Sequence, residues 1–129
     1  MKSWLWRWGP SLLIMALIFT ASGTPGNDLP DFGAWNFDIY KGGHMAGYAL
    51  LAIAYLRALT SARPIPWRLQ LLAIALAGLY AITDEVHQLF TPARTPSPID
   101  VGIDVAGAII GVILWAWIRT SRAPEGPAG

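Results

Sequence analysis

Apolar residues fall along the chain in four blocks, and the polar residues of each block cluster toward its ends. The blocks are residues 4–23 ("WLWRWGPSLLIMALIFTASG"), 42–59 ("GGHMAGYALLAIAYLRAL"), 67–83 ("WRLQLLAIALAGLYAIT") and 100–118 ("DVGIDVAGAIIGVILWAWI"). The third is expected to continue as helix to residue 90. A hydrocarbon core about 30 Å thick takes about 20 helical residues, so each block is long enough only with its polar end included. Those ends are therefore expected at the membrane edge. The pattern predicts an all-α polytopic membrane protein, an antiparallel bundle of about four transmembrane helices forming a single domain over 1–122. The tail 123–129 ("APEGPAG") is expected to be disordered.

Composition sharpens this reading. The chain has 129 residues, of which 54% are hydrophobic and 13% charged, about half the charged share of a soluble domain. A soluble protein of this size could not bury so much apolar surface. Seven tryptophans, several beside basic residues near the ends of apolar blocks, suit anchoring at a membrane interface. With a net charge of +1 and no basic run interleaved with stacking residues, nothing points to nucleic acid. The absence of cysteine excludes disulfides, thiolate metal sites and a cysteine nucleophile.

Charge also sets a direction. With both termini cytoplasmic, Lys2, Arg7, Arg57, Arg63, Arg68, Arg119 and Arg122 lie inside, and only Lys41 and Arg94 lie outside. Of the acidic residues, all but Glu125 fall on or near the outer side. The first block has a rival reading, since its basic start, short apolar run and "TASG" also suit a cleaved secretory signal peptide. Three tryptophans before Pro10 favour an interfacial anchor instead. The outer loop offers Trp35, Phe37 and Tyr40 to the interface.

Antiparallel packing brings the start of the second helix, the end of the third and the start of the fourth to one outer level. Lys41, His44 and Tyr48 share one face of the second helix, and Asp100, Asp104, Gly107 and Gly111 share a stripe of the fourth. On the third, Glu85 and Gln88 are i, i+3 neighbours, as are Asp84 and His87. Carboxylates at such depth persist when they face a bundle interior or wet cavity and find partners. Arg94, in the proline-broken "TPARTPSP", is expected to lay its guanidinium over the helix ends, and in an ion-pair reading it meets Asp100 or Glu85. An outward-facing polar pocket holding His44, Glu85, Arg94 and Asp100 is the expected result. "GHMAG" (Gly43, Gly47) and "GAIIG" (Gly107, Gly111) would let the second and fourth helices touch beside it, though glycine is also common in membrane helices.

The series Lys41-x2-His44-x3-Tyr48, Glu85-x2-Gln88 and Arg94-x2-Ser97-x2-Asp100-x3-Asp104-x2-Gly107-x3-Gly111 resembles the VanZ-like family of small bacterial membrane proteins. The likeness runs from residue 41 to residue 111. It implies that Lys41, His44, Tyr48, Glu85, Gln88, Arg94, Ser97 and Asp100 are the family's polar set, in a multi-pass protein of the bacterial cytoplasmic (inner) membrane linked to the cell envelope. Asp104 departs from the pattern, which usually has Asn there, and Asp84 and His87 lie outside it. The name-giving member is associated with resistance to the glycopeptide teicoplanin; the resemblance supplies no reaction.

Three readings remain open. In the first, the pocket takes an anionic or amphiphilic envelope molecule, such as a lipid-linked precursor or lipoglycopeptide, with Lys41 and Arg94 on its phosphate or carboxylate and Trp35, Phe37 and Tyr40 over its apolar part. In the second, it is an enzyme acting on a lipid head group, with Glu85 as general base, His44 as acid and Arg94 against developing negative charge. No nucleophile motif supports that reading. In the third, the charges form an ion-pair network that holds helix ends in register. No cofactor and no metal are expected: Glu85 and His87 point about 200° apart on a helix, and His44 with Asp100 and Asp104 has no motif behind it. His87 is expected to face water, where it would meet Asp84, and Tyr48 to pack with its hydroxyl satisfied. Oligomeric state is left open.

Overall fold

The computed structural model describes residues 2–122 and Gly126. The expected disordered tail lies outside the described residues apart from Gly126. The described residues form four α-helices: α1 (Lys2–Ser22), α2 (Asn36–Leu59), α3 (Trp67–Gln88) and α4 (Pro98–Ser121). Two short 3-10 turns, Gly26–Asp28 and Gly33–Trp35, lie between α1 and α2. Among the described residues there is no strand. The helices begin and end within a few residues of the expected limits except α2, which starts at Asn36 rather than residue 42. The stretch "NFDIYK" has no helix breaker, so the turn at Gly33, with φ of 64°, is where the chain can reverse.

Side chains at the two ends tie the helices together. At one end, Arg7 of α1 donates from Nε and one Nη to Ala58 O on the last turn of α2 (3.0 and 2.7 Å), and Arg119 of α4 donates to Ser61 O at 2.8 Å. Cations are favoured there because helix carbonyls at a C-terminus lack intrahelical partners. Exposed Trp4, Trp6, Trp67 and Trp117 ring the same end, as in an interfacial aromatic belt. The opposite end gathers the C-termini of α1 and α3 with the N-termini of α2 and α4.

α2 is the innermost helix and packs against α1, α3 and α4. Its Tyr48, Leu51, Ala52, Tyr55 and Leu56 form the centre of the core, facing Ala73, Ala77 and Ala81 of α3 and Ala108 and Val112 of α4. The alanines recur every fourth residue, a smooth stripe that lets α3 approach closely. Helices α1, α3 and α4 contain stretches long and apolar enough to cross a membrane. α2 has the length but carries Asp38, Lys41, His44 and Arg57 and does not reach the same hydropathy. The bundle's outside stays apolar, with Leu13, Leu17, Leu79, Ile113 and Trp117 all more than half exposed. Such a surface is stable only in a nonpolar solvent.

The glycine pairs divide. Gly107 and Gly111 press on the α2 backbone: a Cβ at Gly107 would lie 2.2 Å from Met45 O, and one at Gly111 would lie 2.5 Å from Ala49 O. Gly43 instead meets open space, and Gly47 faces Ile18 of α1. The α2–α4 contact therefore uses one glycine pair, not two.

Candidate functional site

Proline and serine shape the loop over the polar end. Ser97 caps α4, its Oγ accepting from Ile99 N at 3.1 Å, and Pro98 follows at the first helical position. The Ser97 N–H donates to Glu85 Oε2 at 3.1 Å, which pins the loop to the end of α3. Upstream, Gly26 N–H donates to Pro92 O at 3.0 Å, and the loops touch so closely that a Cβ on Gly26 would sit 1.9 Å from Ala93 O. The two loops at this end thus close on one another through backbone.

Beneath them lies a polar cavity of about 230 Å³. Its walls include Lys41 and His44 of α2, Glu85 and Gln88 of α3, Arg94 of the loop, and Asp100 and Asp104 of α4. A second cavity, about 280 Å³ and mostly apolar, opens between α1 and α2 beside Ile18, Ile39, Gly43 and Gly47. Leu29, Tyr40, His44 and Arg94 line both, so the two share a wall. Tyr40 is fixed there by its hydroxyl, which donates to Pro30 O.

Among the described residues Lys41 pairs with Asp100, and a second close approach brings His44 Nδ1 to 3.4 Å from Asp104 Oδ1, an ion pair only when the imidazole is protonated. The second lacks hydrogen-bond alignment, and both Asp104 oxygens remain without a hydrogen-bond partner. Behind His44, Tyr48 is fully buried and donates its hydroxyl to Asp84 Oδ2 at 3.2 Å. Glu85 and Asp84 are likewise buried, with Glu85 Oε1 and Asp84 Oδ1 unpartnered. His44, Asp84 and Asp104 each bring one donor atom to within 4.8 Å of the others.

Several residues lie elsewhere than the sequence implies. Arg94 pairs with no carboxylate among the described residues; its Nε donates to Thr24 O and an Nη to Ala21 O, both at 2.9 Å. These carbonyls, at and just beyond the end of α1, accept from Arg94 without desolvation of a second charge, so the expected Arg94 pair with Asp100 or Glu85 is replaced by Lys41–Asp100. Ser97 is a cap and tether rather than a wall of the polar cavity, and Tyr48 lines the apolar one. Trp35 and Phe37 line neither and stay two-thirds exposed. His87 makes no pair with Asp84; it stacks on Phe19 of α1 at 4.1 Å, because α1 covers that face of α3. Gln88 reaches toward Ser22 Oγ at 3.5 Å.

Asp84 is the residue that sequence reasoning undervalued. Its signal was present: it lies seven residues after Ala77 and three after Ala81 on the buried alanine stripe of α3. A carboxylate continuing an interior stripe is aimed at the bundle axis.

Comparison with known proteins bears on this arrangement. A family model described as VanZ/LLP1 matches residues 8–119, which spans all four helices. No curated protein and no solved structure matches the chain significantly.

Proposed function

Since the chain belongs to the VanZ/LLP1 family, we propose that it is a multi-pass protein of the bacterial cytoplasmic membrane that binds an amphiphilic, anionic envelope molecule at its outer face. A lipid-linked precursor or a lipoglycopeptide of the teicoplanin type has the required chemistry. All four helices span in this reading, with both termini cytoplasmic. Retention of α1 as a span is supported by its packing on α2 and α3 and by its carbonyls, which take Arg94.

One observation carries the reading: a polar cavity bearing Lys41 and Arg94 shares a wall with an apolar cavity between α1 and α2. An amphiphile needs such adjacency, with a charged head taken by cations and an acyl or prenyl chain in an apolar slot. Arg94 has two nitrogens committed to carbonyls, which orients the guanidinium without neutralising its charge.

The test is saturable retention of a labelled polyprenyl phosphate or lipoglycopeptide by protein in nanodiscs. Gly43→Leu fills the apolar cavity from a position with no atom within 4 Å of a Cβ. It is expected to weaken retention at least tenfold while the fold is kept. Retention that Gly43→Leu and Lys41→Gln both leave unchanged would remove the reading.

An enzyme acting on the head group is favoured by one feature. Glu85 has one oxygen held by Ser97 N–H and the other buried and unpartnered on the cavity wall, an arrangement suited to a positioned base. Conversion of the retained lipid to product, lost in Glu85→Gln and His44→Gln, distinguishes it. A network serving assembly alone predicts that the same variants fail to fold.

A further inference from the structure

The deepest part of the polar end holds a group that the Lys41–Asp100 pair and the Arg94 hydrogen bonds leave unused. His44 on α2, Asp84 on α3 and Asp104 on α4 converge there, with donor atoms within 4.8 Å of one another. Asp104 has no exposed surface, and neither of its oxygens has a hydrogen-bond partner among the described residues. Asp84 is 3% exposed; Tyr48 occupies its Oδ2, and its Oδ1 is unpartnered. Buried carboxylates normally accept several hydrogen bonds or face a cation. Among the described residues Lys41 is engaged with Asp100 and Arg94 with the carbonyls of Ala21 and Thr24, which leaves Asp104 only the 3.4 Å approach of His44 Nδ1.

We propose that His44, Asp84 and Asp104 bind one divalent first-row transition-metal ion of the zinc or manganese type. One imidazole and two carboxylates form a mixed nitrogen and oxygen donor set of the kind these ions accept. Two positive charges against two carboxylates make the buried group neutral. Donors held about 2.1 Å from an ion sit about 3–4 Å apart, so the observed separation closes with small side-chain rotations. Tyr48 acts as the outer partner: by holding Asp84 Oδ2 it leaves Oδ1 for the ion. His44 and Asp104 line the polar cavity whereas Asp84 lies behind them, so the remaining coordination position faces the cavity. If an anionic head group enters as proposed above, that position receives one of its oxygens; only this last step rests on the binding reading.

The chain contains two histidines, which makes the experiment specific. The full chain is purified with a tag lacking histidine, loaded with zinc, dialysed and subjected to elemental analysis. About one zinc per chain is expected, with affinity at least tenfold weaker in His44→Gln and Asp104→Asn and unchanged in His87→Gln. Pulsed electron paramagnetic resonance on manganese-loaded protein is expected to show coupling to one imidazole nitrogen that persists in His87→Gln. Folded protein that retains no zinc, or retention that His44→Gln leaves intact, overturns the inference. Where the variants do not fold, the nitrogen coupling of the unaltered protein decides, and its absence overturns the inference. Zinc binding without amphiphile retention leaves the ion site standing and removes the proposed function; the reverse outcome removes the ion alone.

Discussion

Arg94 brings a full charge to a cavity that Glu85, Asp100 and Asp104 also line, yet it donates to two main-chain carbonyls at the end of α1. Hydrogen bonds from a charged donor contribute about 1.5–3 kcal/mol each, less where water competes. Arg94→Gln is therefore expected to lower stability by about 2 kcal/mol in reversible detergent unfolding, and Lys41→Gln by less, because its pair is partly exposed. Glu85→Gln keeps an oxygen that can accept from Ser97 N–H, so its melting temperature should move little. A loss of ligand retention in that variant would then report the charge and not the fold. Asp31, in the loop before α2, accepts from Gly33 N–H and Asn36 Nδ2, both at 2.8 Å. The Gly33 amide first, then Asn36, holds this exposed carboxyl below its usual range. Its contribution to loop order is complete above the unfolded-state value and is lost as pH falls through the lower folded value. A nuclear magnetic resonance titration of the Gly33 amide should show a midpoint below that of an ordinary aspartate.

The four helices differ in what surrounds them, and their sequences record it. α1 and α4 turn leucine, isoleucine and tryptophan outward, while α2 turns Tyr48, Leu51, Tyr55 and Leu56 inward and tolerates Lys41 and His44. Contact between α2 and α4 depends on Gly107 and Gly111, where any side chain meets α2 main chain. Gly107→Ala is expected to cost about 3 kcal/mol, since backbone must shift rather than a side chain. Gly43→Ala, in open space on α2, should leave stability unchanged within about 0.5 kcal/mol or raise it through helix propensity. Equal effects from the two substitutions, measured side by side, would mean that α4 does not seat on α2 as described. The same comparison explains why two identical small-xxx-small patterns had different fates: spacing fixes a face, and only the neighbour decides whether that face is crowded.

Taken together, the bundle has a basic end rimmed by tryptophan and an opposite end that holds the cavities. The chain has no native cysteine, so single thiols at positions 41, 94 and 63 can be placed without interference. Impermeant labelling of intact cells is expected to reach positions 41 and 94 and to miss 63. Labelling of 41 and 94 from different sides would be incompatible with the cavity. Helix number, the antiparallel order and the shared level of the polar residues were legible in the sequence, because membrane thickness and side-chain hydropathy act on each segment separately. Partner choice was not legible. Lys41 rather than Arg94 meets Asp100, His87 lies on Phe19 rather than in water, and Asp84 joins His44 and Asp104 at the bundle axis. Each outcome depends on helix rotation and on loop path, and those follow from close packing between segments far apart in the chain, where ångström-scale differences in approach decide which charge finds which.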